Sequence, residues 1–343
     1  MKKSVNDKLN LFTSNDQTIK GGIKWHDVIM KRLAALIYTL ENKHVNCEAI
    51  IESQDLIKRE TGFFSMFKGN MMLCIASMLS LQENREQLFS NTMTAYNKLK
   101  AVKFSASDYL TVAAFLIASN TESKEYQRTA ERAKAFYDGM KKQRRFHTGK
   151  DDYIFTVMLG LSEIAPNIGV DQIDQLYIKL KPEFRAYGSS LQTLCQLLVL
   201  SGKAEEASER LLTLRNTVIS RKVKLDKMYT LPVLGILSLL PANADTLVGD
   251  ILDVQSCLRT KRGLGFFTVT TQELLLYSSA IVSSAYAEDM KSSNISTISA
   301  EDMKSNIISA ISAGIAGTII AQQLIVLAAV IASSAAVIAS ASD

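Results

Sequence analysis

The stretch Lys141–Tyr153 (KKQRRFHTGKDDY) is where side chains able to do chemistry stand closest together. It brings His147, Asp151 and Asp152 onto one turn and the start of a helix. An imidazole beside two carboxylates is the raw material of a general acid–base pair or a metal site, provided the three converge on one point. The same residues have a plainer use. Asp151 and Asp152 occupy cap and first-turn positions, where acids suit the helix dipole, and His147 then reads as a loop residue. His26 and His44 show no ligand spacing to one another. No phosphate-binding glycine loop, H-E-x-x-H pair or nucleophile elbow is present, so no catalytic residue, metal or cofactor is expected beyond the weak set His147, Asp151 and Asp152.

Basic clusters are the second chemical signal. Lys141, Lys142, Arg144 and Arg145 form one, Arg221, Lys222 and Lys224 another, and Arg259, Lys261 and Arg262 a third. Each lies in a segment of net charge +3, against +5 for the whole chain of 343 residues. Lysine and arginine at helix C-termini complement the dipole and cap carbonyls. That accounts for one or two charges per helix, whereas KKQRR and RKVK run on into loops. Such an edge also suits an acidic protein or peptide, a nucleic-acid backbone or an acidic membrane face. Phe64, Phe146, Phe184 and Phe267 accompany the basic segments and read as wedges between helical hairpins.

These residues are positioned by a register that returns seven times. Anchors at Met30, Met71, Tyr109, Tyr153, Leu191, Met228 and Leu274 are separated by 41, 38, 44, 38, 37 and 46 residues. A helical hairpin per unit fits that spacing. The first helix of each unit is apolar on nearly every side, as in Met30–Leu40, Met71–Leu81, Tyr109–Ser119, Tyr153–Leu161, Leu191–Leu200, Met228–Leu240 and Leu274–Ser284. Such a helix belongs between neighbours. Ser107, Asp151, Ser189 and Asp226 precede four of them and read as N-caps. The second helices, Arg85–Lys100, Glu122–Lys142 and Lys203–Val218, carry one apolar stripe each, for example Ala130, Ala133, Phe136 and Met140. The expected fold is all-α: about seven stacked hairpins in an α-solenoid or an α/α toroid, plus a hydrophobic C-terminal helix. Connections into the apolar helices are basic and should share one edge, with acidic connections such as Ser201–Glu209 on the other.

Composition agrees. Hydrophobic residues at 47% and charged ones at 21% exclude wholesale disorder, and 16 Gly with 4 Pro leave few breakers. Cys47, Cys74, Cys195 and Cys257 stand singly in helical patterns and read as reduced thiols. The polar segment 1–22 has no signal-peptide core, which suggests a cytoplasmic protein. A hairpin domain over 23–288 follows, then a linker over 289–304 with the tandem copies AEDMKSSNIS and AEDMKSNIIS, then an apolar, small-residue-rich segment over 305–343. That last segment reads three ways: a missing helix of the seventh hairpin, a membrane span through residues 315–339, or an oligomerisation helix using Gly314 and Gly317.

The stretches KRLAALIYTLENK, KRETGFFSMFKGN, SASDYLTVAAFLIAS, FYDGMKKQRRFHTGKDDY and GLGFFTVTTQELLLYSSAIV resemble a bacterial family known as domain of unknown function 4003. The likeness runs from about Ile23 to Gln323 and lies in whole-chain pattern rather than a short motif. It implies a bacterial, mostly helical protein and carries no activity, cofactor or site.

Three functions stay open on the residues. One is a non-catalytic scaffold that binds an acidic protein or peptide. Another is a protein for anionic polymers or the inner membrane face, using basic edge and tail together. The third is an enzyme with an α/α-toroid pocket built on His147, Asp151 and Asp152.

Overall fold

A computed structural model describes residues 1–184 and 188–292 of the chain. The described residues form fourteen α-helices and no strand. In chain order they are α1 (Lys3–Gly22), α2 (Val28–Leu40), α3 (Cys47–Glu60), α4 (Met72–Ser80), α5 (Arg85–Ala101), α6 (Asp108–Asn120) and α7 (Tyr126–Gln143). There follow α8 (Tyr153–Leu161), α9 (Pro166–Leu180), α10 (Gly188–Leu200), α11 (Ala204–Ser220), α12 (Leu231–Ser238), α13 (Ala244–Arg259) and α14 (Thr271–Ser292).

The even-numbered helices are the apolar ones. Every residue of α8 from Tyr153 to Gly160 is buried, as is every residue of α12. They pack on one another: α2 on α4, α4 on α6, α6 on α8, α8 on α10, α10 on α12 and α12 on α14. The odd-numbered helices each bury one stripe against this layer, and Ala130, Ala133, Phe136 and Met140 form that of α7. A single stripe leaves the opposite face for water, which is why these helices carry the charge.

The last helix also meets the first ones. α14 packs on α2, and α1 lies against α2, α13 and α14. Polar bonds mark this seam. Arg32 of α2 pairs with Glu273 of α14 at 3.3 Å, both nearly inaccessible, and the Tyr277 hydroxyl donates to the same carboxylate at 3.1 Å. The Met1 ammonium pairs with Asp253 and Asp250 of α13 at 3.1 and 3.4 Å. The polar segment 1–22 is thus an ordered helix whose buried side carries Val5, Leu9, Phe12 and Ile19.

Two hairpins end in the same way. Arg132 of α7 donates to the carbonyls of Gly160, Ser162 and Ile164, which are 28, 30 and 32 residues further on. Arg210 of α11 donates to Ser238, Leu240 and Ala242 at the same offsets. The last carbonyls of a helix lack partners within it, and a guanidinium from the outer layer supplies donors.

Several expectations need correction. Ser107 is an N-cap, accepting from Leu110 N–H at 3.2 Å. Asp151 is not: it sits in a 3₁₀ turn over Lys150–Asp152. Ser189 lies inside α10, and Asp226 precedes α12 altogether. The anchor Met228 is outside its helix too. α12 starts at Leu231 because Pro232, without an N–H, fits only a first turn. The linker over 289–304 enters α14 as far as Ser292. The rest of it, and all three readings of the tail, lie outside the described residues. No described helix is long and apolar enough to cross a membrane.

The tightest contact between layers is at Gly160. A β-carbon there would fall 2.9 Å from the backbone nitrogen of Ala133 and 3.0 Å from the Thr129 carbonyl. Backbone on the facing helix cannot step aside as a side chain can. Gly160→Ala should therefore lose about 1–3 kcal/mol, against about 1 kcal/mol regained in helix propensity. A lower midpoint in chemical denaturation with an unchanged slope is the expected result.

Candidate anion-docking edge

The connections from odd to even helices begin at helix C-termini, and two of them are built alike. After α5, Lys103 is left-handed (φ 72°), with Lys103 N–H on the Lys100 carbonyl and Phe104 N–H on Leu99. After α11, Lys222 is left-handed (φ 57°), with Lys222 N–H on Ile219 and Val223 N–H on Val218. This is the Schellman arrangement, with its apolar residue, Phe104 or Val223, tucked into the core. Glycine is the relaxed choice at such a position, and here each carries lysine instead. The connection after α13 is folded by Arg259, whose guanidinium donates to the carbonyls of Leu264, Gly265 and Val269 at 3.4, 3.2 and 2.7 Å.

Contacts tie consecutive connections together. Lys150 reaches the Ala106 carbonyl at 3.5 Å, and Ser105 N–H donates to the Tyr153 hydroxyl at 3.4 Å. Other bonds join a connection to a neighbouring helix: Arg32 of α2 donates to Gly263 O across the seam, and His26 bonds Gln54 of α3 at 2.8 Å.

Of the ten basic residues singled out in the sequence, eight are exposed: Arg221, which pairs with an acid, and the seven Lys141, Lys142, Arg145, Lys222, Lys224, Lys261 and Arg262. Among the described residues none of the seven has an acid within ion-pair distance, whereas Lys58, Arg85, Lys179 and Arg215 all do. The other three are turned to structural use. Arg144 pairs with Asp174 and covers the Tyr177 ring at 4.0 Å, where burial lowers its pKa. Arg221 pairs with Asp245 at 3.0 Å, and Arg259 holds its own loop.

The aromatic residues divide sharply. Eight of the thirteen phenylalanines are buried. The other five, Phe63, Phe64, Phe146, Phe266 and Phe267, and the single tryptophan, Trp25, are 79 to 105% exposed. All six sit on odd-to-even connections. The wedge reading holds only for Phe184, which is buried; Phe64, Phe146 and Phe267 point to solvent. Trp25 is held left-handed (φ 59°), a costly backbone for a bulky residue. Trp25, Phe63 and Phe266 were not anticipated. A signal existed in the doublet Gly-Phe-Phe, present as Gly62–Phe64 and again as Gly265–Phe267, where glycine marks a loop and no helical stripe claims the rings.

His147, Asp151 and Asp152 do not converge. The His147 ring lies over Gly188, where a β-carbon would meet it at 2.4 Å, and stacks with Tyr177 at 6.1 Å. Among the described residues no hydrogen bond joins it to either aspartate, and no three His, Cys, Asp or Glu side chains are placed to hold a metal. Asp152 is 1% exposed, and three donors occupy its oxygens. These are Gly149 N–H at 2.8 Å and the amides of Gln196 and Gln192 at 2.6 and 3.4 Å. It ties the start of α8 to α10, and neither glutamine was anticipated although their i,i+4 spacing puts both on one helix face. Burial, reinforced by the Asp151 charge, pushes Asp152 up to about 7, and burial raises Asp151 and Asp108 as well.

The family described as protein of unknown function (DUF4003) matches residues 15–316. The chain belongs to that family. The match takes in every connection described above and begins within α1. The chain is similar to the uncharacterized protein YeaA of Bacillus subtilis (strain 168). It is 22% identical over 245 residues, covering 69% of this chain and 73% of YeaA. No solved structure matches.

Two outcomes are expected. An acid whose folded pKa lies above its unfolded value stays protonated in the fold while the unfolded chain ionises. Stability should therefore fall as pH rises from about 4 through about 7, with Asp152 contributing on the order of a few kcal/mol. Asp152→Asn should flatten that slope in denaturant titrations at several pH values, leaving the smaller part from Asp151 and Asp108. Separately, Lys222→Gly should gain about 0.5–1 kcal/mol by relaxing the left-handed turn, read as a higher thermal midpoint.

Proposed function

We propose that the fourteen helices close into an α/α toroid and that the odd-to-even connections form a docking edge for an anionic partner. Closure is supported by α14 meeting α2 and by α1 lying across α13 and α14. A closed ring sets seven connections around one rim, where their charges act together. The observation that carries the docking reading is the set of seven exposed Lys and Arg, none with an acid in reach among the described residues, interleaved with six exposed aromatics. A charge kept for stability would be expected to find a partner, as Arg215 does with Glu183 at 2.6 Å. The lysines at the two left-handed turns support the same reading, because there the basic side chain replaces a residue better for the fold.

The reading favours binding over turnover. The carboxylate offered for catalysis, Asp152, is saturated by donors and closed to solvent, and it serves to hold the edge in place.

A heparin column, used as a generic polyanion, tests this. The triple variant Arg145→Glu, Lys222→Glu, Arg262→Glu should elute at much lower salt than the wild type and show a shallower salt dependence. A control of equal charge change on the opposite edge, Lys43→Glu, Lys124→Glu, Lys203→Glu, should elute close to the wild type. Equal shifts in both would mean that net charge alone is at work, and the docking edge would be wrong.

A further inference from the structure

We infer that the anionic partner is a bilayer surface containing acidic phospholipid, met by the rim aromatics at headgroup depth and by the rim lysines and arginines at the phosphates. This rests on the docking reading above and names its partner.

Three observations favour a lipid surface over an acidic protein or peptide. The first is the exposed apolar area. Six large rings stand largely in water; Phe63 and Phe64 touch edge to face at 5.0 Å between centroids, and the Arg259 guanidinium lies over Phe266 at 4.5 Å. Charge alone would suffice for an acidic protein or peptide, and rings of this kind add nothing to simple carboxylate or phosphate contacts. They are what the bilayer interface takes up, since aromatic side chains settle at headgroup level.

The second is distribution. The six rings come from four connections: α1–α2 (Trp25), α3–α4 (Phe63, Phe64), α7–α8 (Phe146) and α13–α14 (Phe266, Phe267). The first, second and seventh hairpins neighbour one another across the seam, and the fourth lies away from them in the order of packing. An extended peptide would follow one or two connections. A flat surface meets all four at once.

The third is the pairing of chemistries along the chain. Lys24 precedes Trp25, Arg145 precedes Phe146, and Lys261 and Arg262 lie just ahead of Phe266 and Phe267. Lys24, Arg145, Lys261 and Arg262 are all exposed. A cation beside a ring is the arrangement that engages phosphate while the ring enters the layer beneath. Trp25 adds a mechanical detail, because its left-handed backbone turns the ring outward at the cost of local strain.

The test uses the full chain with vesicles of phosphatidylcholine, with and without phosphatidylglycerol. Trp25 is the single tryptophan, so its fluorescence reports on the rim directly. Sedimentation with phosphatidylglycerol vesicles but not with phosphatidylcholine alone is expected. On binding, Trp25 emission should move to shorter wavelength and become protected from acrylamide. The variant Phe146→Ser, Phe267→Ser should bind these vesicles about tenfold or more weakly, yet keep wild-type retention on heparin. Both sites are exposed loop positions, and the wild-type Trp25 signal needs no variant at all. Vesicle binding that ignores phosphatidylglycerol, that survives the phenylalanine changes undiminished, or that leaves Trp25 emission unmoved would overturn the lipid proposal. Retention on heparin without vesicle binding would overturn it too while leaving the docking edge intact, and would point to an acidic protein or polymer. Loss of heparin retention as well would end both.

Discussion

A helix that is apolar on every side has to be covered on every side. That requirement governs this chain. α8 and α12 present no polar face to water, so each takes an even-numbered neighbour on either flank and an odd-numbered helix behind. Burial of this kind is worth roughly 25 cal/mol for each Å² of apolar surface, far more than any single polar contact in the chain. An array obeying the rule has trouble only at its ends, where a greasy flank would be left bare. Here α14 meets α2, and α1 covers them from outside. The buried Arg32–Glu273 pair lies on that seam. Buried ion pairs add little net stability, and their better-attested use is to specify which surfaces meet.

The same rule fixes the direction of the helices and hence the charge of the two edges. Four odd-numbered helices begin with acids, at Glu48, Glu86, Glu205 and Asp245, and six end with bases, as at Lys20, Lys58, Lys98, Lys141, Lys179 and Arg259. Those ends complement the helix dipole, worth a few tenths to about 1 kcal/mol apiece. Dipoles explain the bases within the last turn and not those beyond it. Arg145, Lys222, Lys224, Lys261 and Arg262 lie past the helix ends. None of these five has an acid within ion-pair distance among the described residues, and Arg145, Lys261 and Arg262 stand beside exposed rings.

Much of the architecture was legible in the residues. The bounds of α8 and the stripe of α7 follow from apolar spacing, because burial of a whole helix or of one face leaves a period in the sequence. Helix starts were less legible. Asp151 looks like a cap as Ser107 does, but Gly149 lets a 3₁₀ turn form ahead of α8, and the acid turns elsewhere. The site was the least legible. Phe184 and Phe146 keep the same offset from their anchors, yet one is buried and the other bare. Spacing along the chain records distance to the helix and not whether a loop folds inward. Asp152 was visible as an acid near a histidine, but its partners Gln192 and Gln196 lie 40 and 44 residues on, a contact that exists only once α8 and α10 pack.

Whether the odd-to-even connections act as one surface is best measured by hydrogen–deuterium exchange, with and without phosphatidylglycerol vesicles. The account predicts added protection in the connections around residues 23–27, 61–71, 144–152, 221–230 and 260–270 together, and none around 41–46, 81–84, 121–125 or 201–203. Protection confined to one hairpin, or centred on the opposite edge, would contradict it.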